Sequence, residues 1–453
     1  METVRTTEAA GREQMSGNSS GVKPAVYIST LYFIEGLPYA MVNMMSVVMF
    51  KNLLAPNELI ALVTSNLAWP WMLKPLWAPF IDLVGTRRSW VLVAHLVLAG
   101  LSVLLAFASL SANAIPICAV LFAITAFVSA TQDIAMDGFY MDALDQKDQA
   151  FYVGFRNAAY KIAWLTGQGA LVVLVGLIAD KYGQGFHVGW CASFAVCAVL
   201  FLAAAAFHSF ALPKPRKLHS EAEKENSPTH QVTTQFRQVF ETFFTQYGIV
   251  AIVMYILLFR LGDALMLKMT VPFILDKPAA GGLGIDTMTE GVLYGTVGMV
   301  ALLVGGILGS ALISRLGLKR CLMPAAILQS AAIPLYWALS VYRPNVPMVA
   351  CVNAFEQFAY GIGATAYTIY LLSTVKPEYR ASHYAIATGM MALGLQVPGM
   401  VSGYLTKLGY PTFFLISFAA SIPGILIIPF LPFKDTPPEG SSEAPVQVEP
   451  AGH

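Results

Sequence analysis

The stretch that decides the fold runs from residue 114 to residue 144 and reads AIPICAVLFAITAFVSATQDIAMDGFYMDAL. Its first half has no charged side chain, and the whole stretch exceeds the roughly 20 residues that a helix needs to cross a bilayer. Its second half nevertheless contains Asp133 and Asp137, four residues apart and therefore on one helix face, with Gln132 beside them. An ionised side chain near the bilayer centre costs about 2.5–3.5 kcal/mol on insertion scales, so such residues indicate a polar pathway between helices.

The composition of the whole chain is that of an integral membrane protein. The 453 residues are 57% hydrophobic and 12% charged, whereas soluble domains carry about 25% charged residues. A net charge of +1 without a basic stripe predicts no nucleic-acid partner. The five cysteines lie in apolar runs without metal-ligand or disulfide spacing. The polar N-terminus has no short apolar segment with a cleavage site, so we expect no cleaved signal peptide.

Twelve apolar runs are long enough to cross a bilayer, which predicts an all-α membrane protein. These runs cover residues 24–50, 57–80, 88–110, 114–143, 150–179, 187–211, 247–275, 289–314, 321–342, 347–374, 381–405 and 411–432. Lysine and arginine are concentrated in the loops on the side of the N-terminus; the opposite loops contain only Lys51, Lys181, Lys277, Arg343 and Lys407. By the positive-inside rule we expect both termini in the cytoplasm.

The twelve runs fall into two groups of six, separated by a polar linker. We predict a cytoplasmic tail at 1–23, a six-helix bundle at 24–212, a cytoplasmic linker at 213–246, a second bundle at 247–434 and a disordered tail at 435–453. Phenylalanines at helical spacing between Phe236 and Phe244 predict a short amphipathic helix on the cytoplasmic face at the end of the linker.

A repeated loop indicates that the two groups are related. APFIDLVGTRR at 78–88 aligns without gaps with SALISRLGLKR at 310–320. The alignment pairs Gly85 with Gly317, Arg87 with Lys319 and Arg88 with Arg320, and Ser314 takes the place of Asp82 in the second copy. Glycine permits the short turn, and Asp82 at a helix end can pair with an arginine of a neighbouring helix. We therefore predict that these loops gate the cytoplasmic side.

The first copy of the loop resembles the cytoplasmic signature G-x-L-a-D-r-x-G-r-k of the major facilitator superfamily. Asp82 occupies its acidic position, and Ala78 stands where the signature has its first glycine. The resemblance implies two pseudo-symmetric six-helix bundles that rock around a site near the membrane midplane.

Ten charged residues lie well inside the predicted helices, away from their ends. They are Glu35, Lys74, Asp133, Asp137, Arg156, Lys161, Arg260, Asp263, Lys268 and Glu356. One such charge is often part of a structural salt bridge, but ten of nearly balanced sign indicate a central polar cavity. Repulsion between Asp133 and Asp137 favours a proton on one of them near neutral pH, unless Arg156 or Lys161 on the next helix keeps both ionised.

Some uncharged side chains are further candidates for lining this cavity. Gln396 lies beside the helix-breaking Pro398. Tyr360, Tyr367 and Tyr370 follow helical spacing and could stack on a sugar, although packing between helices is the more common role of such a stripe.

The helix with the two carboxylates resembles a family motif. Ser129, Gln132-Asp133-Ile134 and Asp137 match the signature S-x-x-Q-D-I-x-x-D of AmpG-type muropeptide permeases, and the related acetyl-coenzyme A transporters carry a similar stretch. Further similar segments are WMLKPLWAPFIDLVG, LLFRLGDALMLKMTVPFIL, FEQFAYGIGATAY and ASHYAIATGMMALG. Glu35 and Gly138-Phe139 depart from the family pattern.

The resemblance implies a proton-coupled secondary transporter in the plasma (inner) membrane. Its cargo would be N-acetylglucosaminyl-anhydro-N-acetylmuramic acid or a muropeptide, imported for the recycling of cell-wall fragments. No cofactor is implied beyond the proton gradient, and the expected partners are the small-molecule cargo, protons and the lipid bilayer, with the chain as a monomer. The proton-coupling candidates are Asp133, Asp137, Glu35, Asp263 and Glu356; the cargo-binding candidates are Gln132, Arg156, Lys161, Arg260, Lys268, Gln357, Tyr360 and Gln396.

Other functions stay open at this level. The same fold could carry acetyl-coenzyme A or another acidic metabolite, or export drugs or sugars. The predicted fifth helix, however, lacks the Gly-Pro-rich stretch expected of an exporter. A membrane-embedded enzyme is disfavoured, because the sequence has neither a metal-ligand cluster nor a nucleophile elbow.

Overall fold

The structure is a computed structural model and describes residues 22–144, 146–213, 238, 240–376 and 380–433. Within these residues all regular structure is helical, as predicted. We number the membrane helices in chain order: α1 Pro24–Asn52, α2 57–83, α3 Arg87–Ser109, α4 Ala114–Ala143, α5 146–181, α6 Phe186–Ala211, α7 Ile249–Leu275, α8 Thr287–Leu316, α9 Leu318–Tyr342, α10 Val346–Thr374, α11 Arg380–Leu405 and α12 Tyr410–Leu426. Short 3₁₀ helices at Pro278–Ala280, Thr406–Leu408 and Ile428–Phe430 lie in or after the connections.

Ten of these twelve helices are both long and apolar enough to cross a membrane by length and composition. The two that do not meet both conditions are α2 and α10. The prediction of one continuous helix at 57–80 is wrong. This region is divided into Asn57–Asn66, Trp69–Leu73, Lys74–Leu76 and Ala78–Leu83, and each of the last three begins with a proline in its first turn. Proline has no N–H to donate, so it interrupts the helical hydrogen bonds.

The helix α10 is 29 residues long, which is enough to cross a bilayer. Asn353, Glu356 and Gln357 lie in its middle and reduce its apolar character. The predicted total of twelve helices is therefore consistent with the structure. The two helices of lower hydropathy are α2, which is broken, and α10, which has polar residues at its centre.

Four helical segments are wound as π-helices. They are Met41–Met45 in α1, Leu165–Leu171 and Leu177–Lys181 in α5, and Gly291–Gly298 in α8. Such π segments leave the regular hydrogen-bond ladder and are frequent at functional sites. Three of the four lie where helices of the two bundles meet.

Each bundle is held together by its own helix pairs. In the first, α3 packs on α4 and α6, and α1 packs on α4 and α5. In the second, α10 packs on α8 and α9, and α12 packs on α7 and α9.

The extensive contacts between the bundles all lie in the half of the molecule opposite the chain termini. There α11 packs on Asn57–Asn66 of α2, the π segment Leu165–Leu171 packs on Gly291–Gly298, and α7 packs on Ser46–Asn52 at the end of α1. These segments lie at the far ends of α1 and α5 and at the starts of α2 and α8. Among the described residues the bundles are thus joined at one end, which we call the outer end.

Glycines set the close approach of α8 and α10. A Cβ on Gly361 would collide with the carbonyl oxygen of Leu302, and a Cβ on Gly305 with that of Phe358. Small residues of this kind let membrane helices approach until their backbones touch.

Parts of the predicted domain plan fall outside the described residues. These parts are residues 1–21, most of the linker and the tail from 434 onward. Of the predicted amphipathic helix, the structure describes helical residues at 240–244, where Phe243 is buried while Phe240 and Phe244 are exposed.

We predict that Gly361→Leu lowers the apparent melting temperature of the purified protein, because the new side chain must force α8 and α10 apart. Overpacking of this kind costs about 1–3 kcal/mol. The matched control is Gly100→Leu in α3, where an added Cβ meets open space. Equal melting temperatures for both variants would contradict the close α8–α10 contact.

Candidate functional site

The centre of the first bundle contains two ion pairs built on α4. Lys74 of α2 donates to Asp133 in a very short contact, and Arg156 of α5 lies 2.7 Å from Asp137. The Tyr32 hydroxyl of α1 also donates to Asp137, at 3.2 Å. The predicted shared face is therefore occupied by two carboxylates, each with its own cation.

One of the two basic candidates lies beside a carboxylate. Arg156 pairs with Asp137, and its guanidinium lies 4.3 Å from the centroid of the Tyr32 ring. Lys161, the other basic candidate, has no ion pair among the described residues. Lys74 takes Asp133 because the proline-rich break in α2 brings it against α4. Whether a proton resides on Asp133 or Asp137 stays a prediction.

A third carboxyl group belongs to the same cluster. Glu35 of α1 is 5% exposed and interacts electrostatically with Asp133, Asp137 and Arg156. Its Oε2 has no hydrogen-bond partner among the described residues. The cluster therefore contains three carboxyl groups and two cations, so one bound proton makes it electrically neutral.

The second bundle contains a smaller cluster. Arg260 of α7 donates to the Tyr360 hydroxyl of α10 at 2.9 Å and interacts electrostatically with Asp263. Asp263 accepts a very short hydrogen bond from Gln329 of α9. The sequence did not indicate Gln329 as a site residue, because a single glutamine in an apolar run forms no recognisable pattern.

Glu356 and Gln357 of α10 adjoin this second cluster. The Gln357 side chain donates to Glu356 at 2.7 Å, and Glu356 interacts electrostatically with Asp263. The predicted acidic and amide candidates of the second bundle thus lie together. Their roles in proton or cargo binding remain predictions.

Three predicted cargo-binding residues lie in packed surroundings. Gln132 is fully buried and donates to the carbonyl oxygen of Ile34 at 3.4 Å. Lys268 is 4% exposed and donates to the carbonyl oxygen of Thr64 in the first bundle at 3.2 Å. Gln396 has a buried Oε1 without a partner among the described residues. In this conformation Lys268 joins the two bundles.

The tyrosine stripe of α10 is divided between two roles. Tyr367 and Tyr370 are fully buried, and Tyr367 stacks on Phe259 with ring centroids 5.0 Å apart. The packing role therefore applies to these two rings. Tyr360 differs, since it is half-buried and bonded to Arg260.

The predicted gating loops have the expected turn geometry. Gly85 and Gly317 both adopt positive φ, at 75° and 84°, a conformation that side chains disfavour. Arg87 pairs with Asp142 at 2.6 Å and donates to the carbonyl oxygen of Gly138 at 3.0 Å. The first loop is thereby fastened to the end of α4.

The remaining gating residues have different surroundings. Arg88 donates to the carbonyl oxygens of Leu212, at 3.3 Å, and Ser209 at the end of α6. In the second loop, Arg320 is exposed and the Lys319 ammonium lies 5.9 Å from the Phe433 ring. The side chain of Asp82 lies outside the described residues, so its predicted pairing remains a prediction.

The outer end is closed by a polar network between the bundles. Lys51 at the end of α1 pairs with Asp276 beyond α7 at 2.6 Å. The Tyr410 hydroxyl of α12 donates to Asp276 at 2.6 Å and accepts from Asn57 of α2 at 2.9 Å. Lys51 also donates to Asn57 at 2.7 Å, which closes a ring of four side chains.

Two more contacts extend this closure. Glu58 pairs with Lys407 at 2.6 Å, and Asn52 donates to the Thr287 hydroxyl at 2.8 Å. Sequence reasoning assigned Lys51 and Lys407 to loops without a role, because their partners lie more than 200 residues away in the chain. These contacts close the space between the two bundles at the outer end.

Other buried polar groups were also not predicted. Glu290 at the start of α8 is fully buried, and neither carboxyl oxygen has a partner among the described residues. His95 and His208 are buried and hydrogen-bonded to each other at 2.9 Å, and His208 contacts Thr30 at 2.9 Å. The histidines join α3, α6 and α1 near the ends that carry the chain termini.

Comparison with known proteins gives one family and several relatives. The family model described as Major Facilitator Superfamily matches residues 28–275 and 256–452. The anhydromuropeptide permease of Escherichia coli strain K12 is 27% identical over 372 residues, which are 79% of this chain and 70% of that protein.

Solved transporter structures share the fold. The D-xylose-proton symporter has a TM-score of 0.69 at 13% identity, over 90% of this chain and 97% of the other. The nucleoside transporter NupG has a TM-score of 0.65 at 14% identity, over 90% and 99% of the two chains.

We predict that Lys51→Ala opens the outer end more often. The pair exists only when that end is closed, so its loss shifts the population toward open states. Distances between spin labels at Leu54 and Ala279, in the loops of opposite bundles, should lengthen in part of the molecules. The control is Lys407→Ala, since Lys407 is 63% exposed whereas Lys51 is 12% exposed, and exposed pairs contribute little. Identical distance distributions in Lys51→Ala and the parent protein would exclude Lys51 from the closure.

Proposed function

Because the chain belongs to the Major Facilitator Superfamily and is a transporter rather than an enzyme, we propose that it is a proton-coupled importer of amino-sugar cargo. The cargo would be a cell-wall disaccharide such as N-acetylglucosaminyl-anhydro-N-acetylmuramic acid, with or without its peptide. The observation that carries the proposal is the cluster of three carboxyl groups and two cations around α4 in a carrier shut at its outer end.

The charge count of this cluster supports proton coupling. With Glu35, Asp133 and Asp137 ionised beside Lys74 and Arg156, the cluster carries one negative charge; one proton neutralises it. A neutral cluster is cheaper to keep in a dry, low-dielectric bundle than a charged one. Proton binding therefore favours a state in which the cluster is shielded from water, and proton release favours a state in which it is wetted.

Two features support an acidic sugar as cargo. The relative from Escherichia coli is named an anhydromuropeptide permease. Lys161 has no ion pair among the described residues, and Arg260 donates to the hydroxyl of the half-buried Tyr360. Both cations could therefore take an acidic ligand. A carboxylate on the cargo gains a charge-assisted hydrogen bond at either cation.

The same cations support a second candidate, acetyl-coenzyme A or another acidic metabolite. The two cargoes are separated by competition in proteoliposomes that take up labelled disaccharide under an imposed pH gradient. We expect accumulation of the disaccharide that excess unlabelled disaccharide abolishes and excess coenzyme A ester does not. Competition by the ester alone would favour the second candidate.

The orientation and assembly belong to this proposal as well. We propose a monomer in the inner membrane with both termini in the cytoplasm, for which the basic loops on the side of the termini are the support. The closed outer end then faces away from the cytoplasm, and the structure corresponds to a carrier that opens inward.

We predict that Asp133→Asn abolishes accumulation driven by the pH gradient. The variant leaves two carboxyl groups and two cations, which are neutral without a proton, so transport no longer requires one. Exchange of labelled for unlabelled cargo without a gradient should continue. Glu35→Gln should behave in the same way, although Glu35 forms no ion pair.

The control for this experiment is Asp286→Asn at the start of α8, because Asp286 is exposed, lies outside the cluster and caps the helix in a way that asparagine also can. It should accumulate cargo like the parent protein. Full accumulation by Asp133→Asn would exclude this residue from coupling. Loss of exchange as well as accumulation in both Asp133→Asn and Glu35→Gln would contradict the charge argument.

We predict that Arg260→Gln weakens binding of an acidic disaccharide about tenfold or more, because a hydrogen bond to a charged group contributes about 1.5–3 kcal/mol. Glutamine keeps an amide donor, but it lacks the charge and is shorter than arginine. The measurement is the concentration dependence of uptake, with Arg315→Gln at the exposed end of α8 as control. An unchanged KM would assign Arg260 to helix packing.

A further inference from the structure

Four half-buried aromatic rings from α1, α2 and α5 form a cluster that the mechanism above does not use. The Tyr39 and Trp164 rings stack in parallel, with centroids 5.3 Å apart and 4° between their planes. Trp71 meets Tyr39 edge to face at 5.0 Å, and Tyr160 lies 5.9 Å from Trp164.

The backbone of α1 and α5 is adapted to bring these rings together. A Cβ on Gly36 would meet the Tyr160 carbonyl oxygen at 2.9 Å, and one on Gly167 would meet the Ala40 Cβ at 2.7 Å. Only glycine at these two positions lets the helices approach closely enough for Tyr39 to stack on Trp164. The π segments Met41–Met45 and Leu165–Leu171 begin directly beyond the two rings.

The cluster lies between the two bundles. The Tyr39 hydroxyl interacts electrostatically with Asp133 of the first bundle and with Arg260 and Tyr360 of the second. All four rings are only half-buried. By contrast, the packing rings Tyr367 and Tyr370 of α10 are fully buried. Ring faces that remain partly uncovered next to both charge clusters are suited to contact a ligand.

A cation lies directly on this cluster. The Lys161 ammonium is 4.1 Å from the centroid of the Trp164 ring, and among the described residues it has neither an ion pair nor a hydrogen bond. The electron-rich face of Trp164 is thus already in contact with a positive group. A ligand carboxylate that reached this position would give Lys161 an anionic partner.

We propose that Tyr39, Trp71, Tyr160 and Trp164 bind one pyranose ring of the cargo, and that Lys161 binds a carboxylate on the adjacent ring. The C–H bonds on the face of a pyranose are weakly positive and favour aromatic faces. The sugar hydroxyl and acetamido groups then point toward the charged and polar groups around Tyr39. This inference rests on the proposed function, because it assumes that the cargo is a sugar.

The test measures equilibrium binding to the purified full-length protein by dialysis. One probe is labelled N-acetylglucosaminyl-anhydro-N-acetylmuramic acid, which has a carboxylate; the other is N,N′-diacetylchitobiose, a neutral disaccharide of similar size. The variants are Trp71→Leu, Trp71→Phe and Lys161→Gln. The matched control is Trp69→Leu, because Trp69 lies two residues away on the same segment of α2 and its indole donates to Asn66 outside the cluster.

We expect Trp71→Leu to weaken binding of both sugars about three- to tenfold, the loss that corresponds to one aromatic contact. Trp71→Phe keeps a ring and should retain most of the affinity. Lys161→Gln should weaken binding of the acidic sugar alone. Trp69→Leu should bind both sugars like the parent protein.

Three outcomes would overturn the proposal, and they have different meanings. If the parent protein binds neither sugar, the aromatic subsite and the proposed cargo both fail. If the parent binds them and Trp71→Leu binds them equally well, the subsite alone is wrong and the cargo stands. Equal weakening by Trp71→Leu and Trp71→Phe, with a lowered melting temperature in both, would assign Trp71 to packing.

Discussion

The structure depends on pairing the charged side chains inside the apolar membrane region with side chains of opposite charge. Asp133 and Asp137 are tolerated in α4 because Lys74 and Arg156 reach them from the helices on either side. Removing water from an ion raises its free energy by several kcal/mol, and only a close, hydrogen-bonded counter-ion offsets most of that cost. The positions of α2 and α5 relative to α4 follow from this requirement. The prolines that break α2 belong to the same arrangement, since Lys74 lies within the broken region.

The cluster around α4 has one carboxyl group more than it has cations. The proposed proton coupling depends on this extra carboxyl group. Glu35 lies beside the two pairs without a cation of its own. A fully balanced cluster would be a structural element with no reason to exchange a proton. In the proposed mechanism, the extra carboxyl group makes the net charge of the cluster depend on one bound proton. The closed outer end would then keep water from reaching the cluster from that side.

The two bundles differ in the chemistry of their buried polar groups. The first has ion pairs, aromatic rings and the unpaired Lys161, while the second has a hydrogen-bonded set around Arg260, Asp263 and Glu356. The repeated loops show the same asymmetry, because Arg88 donates to carbonyl oxygens at the end of α6 whereas its counterpart Arg320 is exposed. The two halves thus differ in their buried charged side chains and share the turn glycines Gly85 and Gly317 that the backbone requires.

The sequence by itself determined the membrane class, the helices other than α2, the twofold arrangement and the shared face of Asp133 and Asp137. These features depend on local properties: hydropathy over about 20 residues, helical periodicity and the conformational freedom of glycine. The tertiary structure alone decided which charges pair, because Lys74 and Asp133 are separated by 59 positions and Lys51 and Asp276 by more than 200. It also decided that Tyr367 packs between helices, that the Trp71 ring contacts Tyr39, and that the outer end is closed. Such contacts join residues far apart in the chain, and a single sequence contains no local pattern from which their distances follow.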